Sequence, residues 1–377
     1  MSCIYLFVMP LPLPAVLFLL ILVLYYVKYH FPLLKALKKQ SSLVETPTEE
    51  PVSVIIAARN ELNNLKANLP LILEQNYADF EVVVINDHSY DGTADYLKEL
   101  ALEEERIKVV TVETDERFKR GKKFALTMGI KAAKNDLLLF TDADCKPASK
   151  NWINLMVQQG LGKELVLGYG HLQTPPTLLG LLVKFETIQS AINYFGYALK
   201  NEAYMGVGRN LMYRKDLFFK HKGFASHQHI ISGDDDLFVQ EASTASNTTT
   251  ALLQDSFTVS AGPSSWSAWY TQKKRHHSTA KVYKKKFKRN LGVFSFSQIF
   301  FYVAIVLQLI LFPKLWYYSV GLVVLKWIIQ VLIQYKPAKH FGFKFYALYL
   351  PLCDVMYTLY LLIFGLIYPF AKVKKWS

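Results

Sequence analysis

Cysteine is scarce. Cys3, Cys145 and Cys353 are the three in 377 residues, and they lie far apart with no metal-ligand spacing. That excludes a disulfide framework and a cysteine-rich zinc module, and it suits a reducing compartment. Also missing is a glycine-rich, basic phosphate loop after the first predicted strand, where Ala57-Ala58-Arg59-Asn60-Glu61 stands instead. This argues against a nucleotidyltransferase built on such a loop. Acidic residues are outnumbered, 30 against 43 Lys and Arg, for a net charge of +13. No internal repeat is present. The apolar run from Ile4 to Val27 lacks the basic start and the small-residue cleavage site of a signal peptide. It reads as an uncleaved anchor, long enough to span a bilayer.

Three more apolar stretches close the chain, Val293–Phe312, Leu315–Ile333 and Phe345–Phe370. The middle one contains Lys326 and the last contains Asp354. Charges at such depth are costly and often functional, although a lysine can snorkel to the interface. The Ser295, Ser297 and Gln298 start of the first would also suit an interfacial helix. Much of the positive charge crowds next to these segments: Lys28, Lys35, Lys38 and Lys39 after the first, and Lys273 through Arg289 before the second. A nucleic-acid patch is the lesser reading of that second cluster. By the positive-inside rule both flanks put the middle of the chain on the cytoplasmic side. Lys372, Lys374 and Lys375 fit only if one closing segment does not cross. The expected division is an anchor over residues 1–28, a linker over 29–50, a cytoplasmic domain over 51–290 and a membrane region over 291–377. The expected location is the inner membrane of a bacterium.

Between the membrane segments, apolar strand-length runs alternate with helical patterns. Val52–Ala58, Glu81–Ile85, Ile107–Val112 and Asp136–Thr141 read as strands; Glu61–Leu73, Gly92–Glu104 and Lys122–Ala133 read as helices. Asn60 and Asp91 are suited to cap the first two of these helices. Such alternation implies βαβ units on a mostly parallel sheet, with right-handed crossovers. Ligands bind at the carboxyl edge of such a sheet. Thr141-Asp142-Ala143-Asp144 stands at that edge, before Cys145, Lys146 and Pro147. Two carboxylates one residue apart repel unless a cation lies between them. Mg²⁺ takes one or two carboxylates together with substrate phosphates. Arg59, Glu61 and Asp87 fall at the same predicted edge, where an Asp87 carboxylate can accept the imide proton of uracil.

These stretches, with Gly121-Lys122-Lys123-Phe124-Ala125-Leu126 between them, resemble the family 2 glycosyltransferases in motif and in order over about a hundred residues. The resemblance implies an α/β, GT-A fold: a Rossmann-like, mostly parallel sheet with flanking helices, here with transmembrane helices at both ends. It also implies a nucleotide-sugar donor, usually a UDP-sugar, and a Mg²⁺ or Mn²⁺ ion. On these terms Ala58, Arg59, Glu61 and Asp87 line the nucleoside pocket, and Lys122 or Lys123 approaches the nucleotide. Asp142 faces the ribose or donor sugar, and Asp144 holds the metal on the diphosphate.

The second half continues the likeness. Gly206-Val207-Gly208-Arg209-Asn210 resembles the glycine-rich strand on the acceptor side, which nominates Gly208 and Asn210. Ser232-Gly233-Asp234-Asp235-Asp236-Leu237 resembles the acid-Asp pair that supplies the catalytic base. Aligned on Leu237, the base falls on Asp234; Gly233 replaces the usual acid, which leaves Asp235 open as the alternative, with Asp236 as the next acidic position. A buried carboxyl of this kind with a raised pKa can deprotonate an acceptor hydroxyl. Gln272-Lys273-Lys274-Arg275-His276 resembles the Gln-x-x-Arg-Trp motif, with Arg275 on the departing diphosphate and Gln272 on the nucleotide side. His276 replaces the usual Trp, and Trp269 is a nearby stacking face for an acceptor. The expected activity is inverting transfer of a hexosyl unit to a lipid or envelope-glycan acceptor. A processive polysaccharide synthase and a catalytically inactive membrane-tethered scaffold are the alternatives.

Overall fold

The computed structural model describes residues 12–39, 49–113, 121–230 and 232–367. Cys3, the start of the first apolar run, part of the expected linker and the C-terminal lysines lie outside the described residues. Helix α1 (Leu13–Lys39) is apolar through Val27 and passes through one π-type turn at Tyr26–His30. The stretch after residue 28, expected as linker, is helical to Lys39. It is amphipathic, with Leu33, Leu34 and Leu37 buried and Lys35, Lys38 and Lys39 exposed, the pattern of a helix with one apolar face.

The sheet begins with β1 (Val52–Ala58), followed by α2 (Leu62–Leu73), β2 (Phe80–Asp87), α3 (Thr93–Glu103), β3 (Ile107–Val112), α4 (Lys122–Ala132) and β4 (Leu137–Asp142). Every residue of β1 and β2 is buried, as expected of inner parallel strands covered on both faces. β1 pairs in parallel with β2 and β4, with Ala58 opposite Asn86 and Ala57 opposite Asp142. That register sets the carboxyl ends of three strands side by side. Then come β5 (Lys146–Pro147), α5 (Trp152–Gln159), β6 (Leu165–Leu167), β7 (Gly170–Gln173) and α6 (Leu178–Ala198). After α6 follow β8 (Leu211–Arg214), α7 (Lys215–Lys220), α8 (Asp236–Ala242), β9 (Thr248–Thr250), β10 (Thr258–Ala261) and α9 (Trp266–Ala280). The large sheet has the order β3-β2-β1-β4-β8-β6-β9, and β8 runs antiparallel to β4 and β6. A second sheet has the order β5-β10-β7. The sequence suggests a strand over Met205–Tyr213, but only its end is one: the glycine-bearing part is loop.

Two compact units divide the chain. The first contains both sheets. The second contains α1, Leu181–Gly196 of α6, and the closing helices α10 (Lys285–Leu311), α11 (Trp316–His340) and α12 (Tyr346–Ile367). Four helices among the described residues are long and apolar enough to cross a membrane: Leu13–Lys39, Lys285–Leu311, Pro313–His340 and Tyr346–Leu366.

The interior of this second unit is polar along one line. Glu186, Gln189 and Asn193, at helical spacing on α6, are all buried. Asn193 Oδ1 accepts from Tyr25 OH at 3.0 Å and lies 2.9 Å from His30 Nε2, and Gln189 donates to Gln334 Oε1 at 2.7 Å. Gly196 lets α6 meet α1 closely, since a Cβ there would fall 1.6 Å from the Tyr29 carbonyl oxygen. Lys326 does not snorkel. Its Nζ lies 2.5 Å from Asp354 Oδ2, with the two side chains 0% and 1% exposed. Gln298 and Trp327 donate to the same carboxylate at 2.8 and 3.2 Å, and Tyr302 donates to it as well. A buried ion pair whose remaining acceptor sites are satisfied is the arrangement that an apolar interior tolerates.

Candidate active site

The two loops that leave β1 and β2 interlock. Asn60 and His88, just past the ends of β1 and β2, both take left-handed backbone angles, φ 56° and 55°. Such conformations persist where surrounding bonds hold them. Here Asn60 N donates to Ser89 Oγ at 3.0 Å and Tyr90 N donates to Asn60 Oδ1 at 2.9 Å. The capping expected of Asn60 falls to Asp91, whose Oδ2 accepts from Leu62 N at 3.0 Å at the start of α2 and whose Oδ1 accepts from Thr93 N at 3.1 Å at the start of α3.

At this edge Asp87 is buried, and its Oδ2 has no hydrogen-bond partner among the described residues. Burial raises its pKa, against the opposing pull of Arg59 and His88. Glu61 is half-buried and accepts from Asn64 Nδ2 at 2.6 Å. Burial raises its carboxyl too, with Asp144 and Asp142 adding to the shift. Ala58 is fully buried in β1 and presents no side chain to the edge.

Helix α4 starts at this edge, and Gly129 seats it tightly on the sheet: a Cβ there would fall 2.4 Å from Ile85 Cδ1. Its first residue, Lys122, reaches Asp142 Oδ1 at 2.8 Å and Asp234 Oδ2 at 3.3 Å. Burial alone would lower the Lys122 pKa, but the two carboxylates hold it above the ordinary lysine value. Lys122, Thr141, Asp142, Gly208, Tyr213, Asp234 and Asp235 line one pocket. Lys123 points elsewhere. It is buried and donates to the carbonyls of His227 and Ile230 at 2.7 and 3.2 Å, and burial pulls its pKa down to about 8. The adjoining lysine is thus a structural tether, since neighbours on a helix point about 100° apart.

Asp142, Asp144 and Cys145 hold their ligand atoms within 4.8 Å of one another. Burial pushes the Asp142 carboxyl up, but Lys122, Arg209 and Arg275 outweigh it and keep it low. Desolvation and the Asp142 charge raise Asp144. Burial raises the Cys145 thiol, which donates to Asp144 Oδ1 at 3.4 Å. A neutral thiol beside two repelling carboxylates is a poor thiolate site and a fitting one for a hard, oxygen-preferring divalent cation.

The Asp234-Asp235-Asp236 run resolves into separate roles. Gly233, at φ 96°, sits in a conformation that favours glycine, and a Cβ there would fall 2.5 Å from Leu237 Cδ1. This accounts for the missing acid. Asp234 faces the pocket and Lys122. Asp235 caps α8: its Oδ1 accepts from Asp236 N at 2.7 Å and its Oδ2 from Gly208 N at 2.8 Å. Burial, then Asp234 and Asp236, push its pKa up to about 7. Asp236 is turned away from the pocket. It is buried and accepts from Thr279 Oγ1 at 2.5 Å, Tyr283 OH at 2.7 Å and Leu237 N at 2.7 Å, so it ties α8 to α9 and is not free to act on a substrate.

Two residues expected on the acceptor side are also buried. Asn210 is fully enclosed; its amide donates to the carbonyls of Tyr169 and Ser256 at 3.0 and 2.8 Å, and its Oδ1 accepts from Trp152 Nε1 at 3.0 Å. Trp269 is 6% exposed and packs edge-on against Trp266, which is 51% exposed. Gln272 and Arg275 are half-buried on α9 and His276 is exposed. Arg209, which the motif reading passed over, bears on both Asp142 and Asp144. Its signal was a cation inside the Gly206–Asn210 stretch.

Comparison with known proteins agrees with this geometry. Residues 53–162 match the family Glycosyl transferase family 2. Glycosyltransferase AglE of Haloferax volcanii is 30% identical over 127 residues, 33% of this chain and 40% of that protein. Poly-beta-1,6-N-acetyl-D-glucosamine synthase of Staphylococcus epidermidis is 30% identical over 118 residues, 31% of this chain and 27% of that one. The chain thus spans well under half the length of these relatives. A mannosyltransferase of Pyrobaculum calidifontis, solved with GDP-Man and Mn²⁺, superposes with a TM-score of 0.59 at 19% identity, covering 95% of this chain and 99% of its own. Over residues 53–162 the chain thus matches the family 2 glycosyltransferases, on a GT-A fold.

Proposed function

We propose that this protein is a membrane-bound inverting glycosyltransferase whose donor is a UDP-sugar and whose acceptor is a lipid or envelope glycan. The observation that carries the reading is the position of Lys122 between Asp142, on the donor side, and Asp234, on the acceptor side. One cation joins the two halves of a displacement site.

Asp87 Oδ2, buried without a partner, would accept the imide N–H of uracil. A guanine offers N–H donors to the same carboxylate, so GDP-sugars belong in the test. Asp144 and Asp142 would hold Mg²⁺ or Mn²⁺, which when bound offsets charge on the diphosphate. Lys122 and Arg275 supply fixed positive charge toward the same group. The acceptor hydroxyl attacks the anomeric carbon, and the C–O bond to the diphosphate breaks with its electron pair leaving on the nucleotide. The hydroxyl proton goes to Asp234, since both oxygens of Asp235 already accept backbone N–H groups. Asp235, beside it, stays engaged as the cap of α8. One displacement inverts the anomeric centre. His276 in place of the usual Trp favours single transfer over chain elongation. The basic residues flanking α1 and α10 favour a cytoplasmic catalytic domain.

The test is release of nucleotide by detergent-purified protein across UDP- and GDP-sugars, with Mn²⁺, Mg²⁺ or chelator, and with candidate lipid acceptors. Metal-dependent turnover of one donor, lost in Asp144→Ala and Asp234→Ala, is the expected result. Failure to bind any nucleoside diphosphate in the presence of metal would leave an inactive scaffold as the better reading.

A further inference from the structure

We propose that Arg209 is a fixed cation for the donor diphosphate, separate from the arginine on α9, and that Gly170 is present to make room for it. This rests on the glycosyltransferase reading and adds a residue to its phosphate subsite. A Cβ on Gly170 would fall 2.5 Å from Arg209 Nε and 3.1 Å from its Cβ, so any other residue at 170 displaces the guanidinium. The backbone beneath it is rigid. Thr258 Oγ1 donates to the Arg209 carbonyl at 3.0 Å, and the next residue, Asn210, is locked by three side-chain bonds. Gly168 clears space for that lock in the same way, since a Cβ there would fall 2.5 Å from the Asn210 side chain.

The guanidinium so placed is under-used. Its hydrogen bond among the described residues runs from Nη2 to the Gly170 carbonyl at 3.2 Å, and Nε is buried with no partner. Arginine carries five N–H donors in a planar fork that matches phosphate oxygens. A purely structural arginine would have its donors engaged. It directly follows Gly208, which lines the pocket with Lys122, Asp142 and Asp234, and its charge bears on the Asp142–Asp144 pair. Without a donor sugar it steadies two carboxylates that repel. With a diphosphate bound, its free donors turn to oxygens that the uncharged sugar and nucleoside do not offer.

The two roles, phosphate cation and structural pin, predict opposite changes in metal affinity. A cation beside a metal site opposes the metal. Its removal should therefore leave binding of Mn²⁺ alone unchanged or tighter, while a lost pin would loosen both ligands. The experiment uses the full chain in detergent. Mn²⁺ binding is followed by water-proton relaxation, and UDP, GDP, UMP and pyrophosphate binding by calorimetry at saturating Mn²⁺. Arg209→Gln should weaken diphosphate binding by about tenfold or more, from the loss of charge-assisted hydrogen bonds. UMP and Mn²⁺ alone should not weaken. Arg209→Lys should restore part of the loss, and Gly170→Ala should move binding in the same direction as Arg209→Gln. Equal diphosphate binding by wild type and Arg209→Gln overturns the inference and leaves the glycosyltransferase reading standing. Parallel loss of Mn²⁺, UMP and diphosphate binding with a lowered melting temperature makes Arg209 a pin and also overturns it. A wild-type protein that binds no nucleoside diphosphate overturns both readings.

Discussion

Two lysines, one in each unit, are paired with carboxylates and serve opposite ends. Lys122 keeps 23% of its side chain exposed and divides itself between Asp142 and Asp234, which come from different parts of the chain. Lys326 is fully buried against Asp354, whose oxygens also receive Gln298, Trp327 and Tyr302. The first pair lines a pocket and has capacity left for a ligand. The second is closed and saturated. The two clusters therefore differ in access and unsatisfied capacity, and not in charge or burial alone.

The largest expected effect tests the open cluster. Asp234→Asn should lower turnover by about 10²–10⁴, the range for losing a general base, with donor KM changed little. The corresponding test of the closed pair is one of stability. Lys326→Met or Asp354→Leu alone leaves a buried charge unpaired and should cost about 3–5 kcal/mol, whereas the double substitution should recover most of that. Melting temperatures in detergent and a double-mutant cycle read this out. The contrast sharpens with Lys122→Met/Asp142→Leu, which should keep the fold and abolish turnover. If the Lys326 and Asp354 double variant also lost activity while fully folded, the closed pair would have a function beyond assembly.

A pH profile comes next. The Asp235 pKa is raised from 3.8 to about 7, so the folded protein binds this proton more tightly than the unfolded chain does. The contribution to stability is therefore most favourable below pH 4 and declines as pH rises to about 7. Activity should move the other way. Around Asp235 stand Asp234, Asp236, Lys122 and Lys123. Ionisation of Asp235 adds negative charge beside Asp234 and Lys122, so kcat should climb through about pH 7. Asp235→Asn should remove that step and retain residual turnover, unlike Asp234→Asn. A step that persists in Asp235→Asn would assign it to another group.

Much of the sheet was legible because β1, β2 and β4 are mostly apolar runs of strand length that lead into polar residues. The carboxylates of the site were legible for the same reason: a polar residue at the carboxyl end of a buried strand has few other duties. Orientation was not legible. Lys122 and Lys123 are adjacent lysines, and only the turn of α4 sends one to the pocket and the other to the carbonyls of His227 and Ile230. Asn210 and Asp236 looked available because the groups that bind them come from distant stretches of chain, Trp152 and Tyr169 for Asn210, and Thr279 and Tyr283 for Asp236. The place of α6 beside α1 and the closing apolar helices was not legible, because Gln189 and Asn193 find partners in Gln334, Tyr25 and His30. Lys326 and Asp354 stood out as intramembrane charges, yet separation by 28 positions hid their pairing.

Asp91 supplies the smallest and most discriminating test. It stands beside the nucleotide edge like the residues of the open cluster, yet its oxygens are engaged like those of Asp354. It holds Leu62 N at the start of α2 and both the amide and the hydroxyl of Thr93 at the start of α3. If engagement and not location decides the role, Asp91→Ala should behave as a lost helix cap, with destabilisation of about 0.5–2 kcal/mol. Turnover should stay unchanged at temperatures where the protein remains folded. Asp91→Asn, which keeps one acceptor oxygen, should recover part of the stability. A loss of kcat in Asp91→Ala without a fall in melting temperature would break the rule, because it would show a fully engaged carboxylate acting on the reaction from the edge of the site.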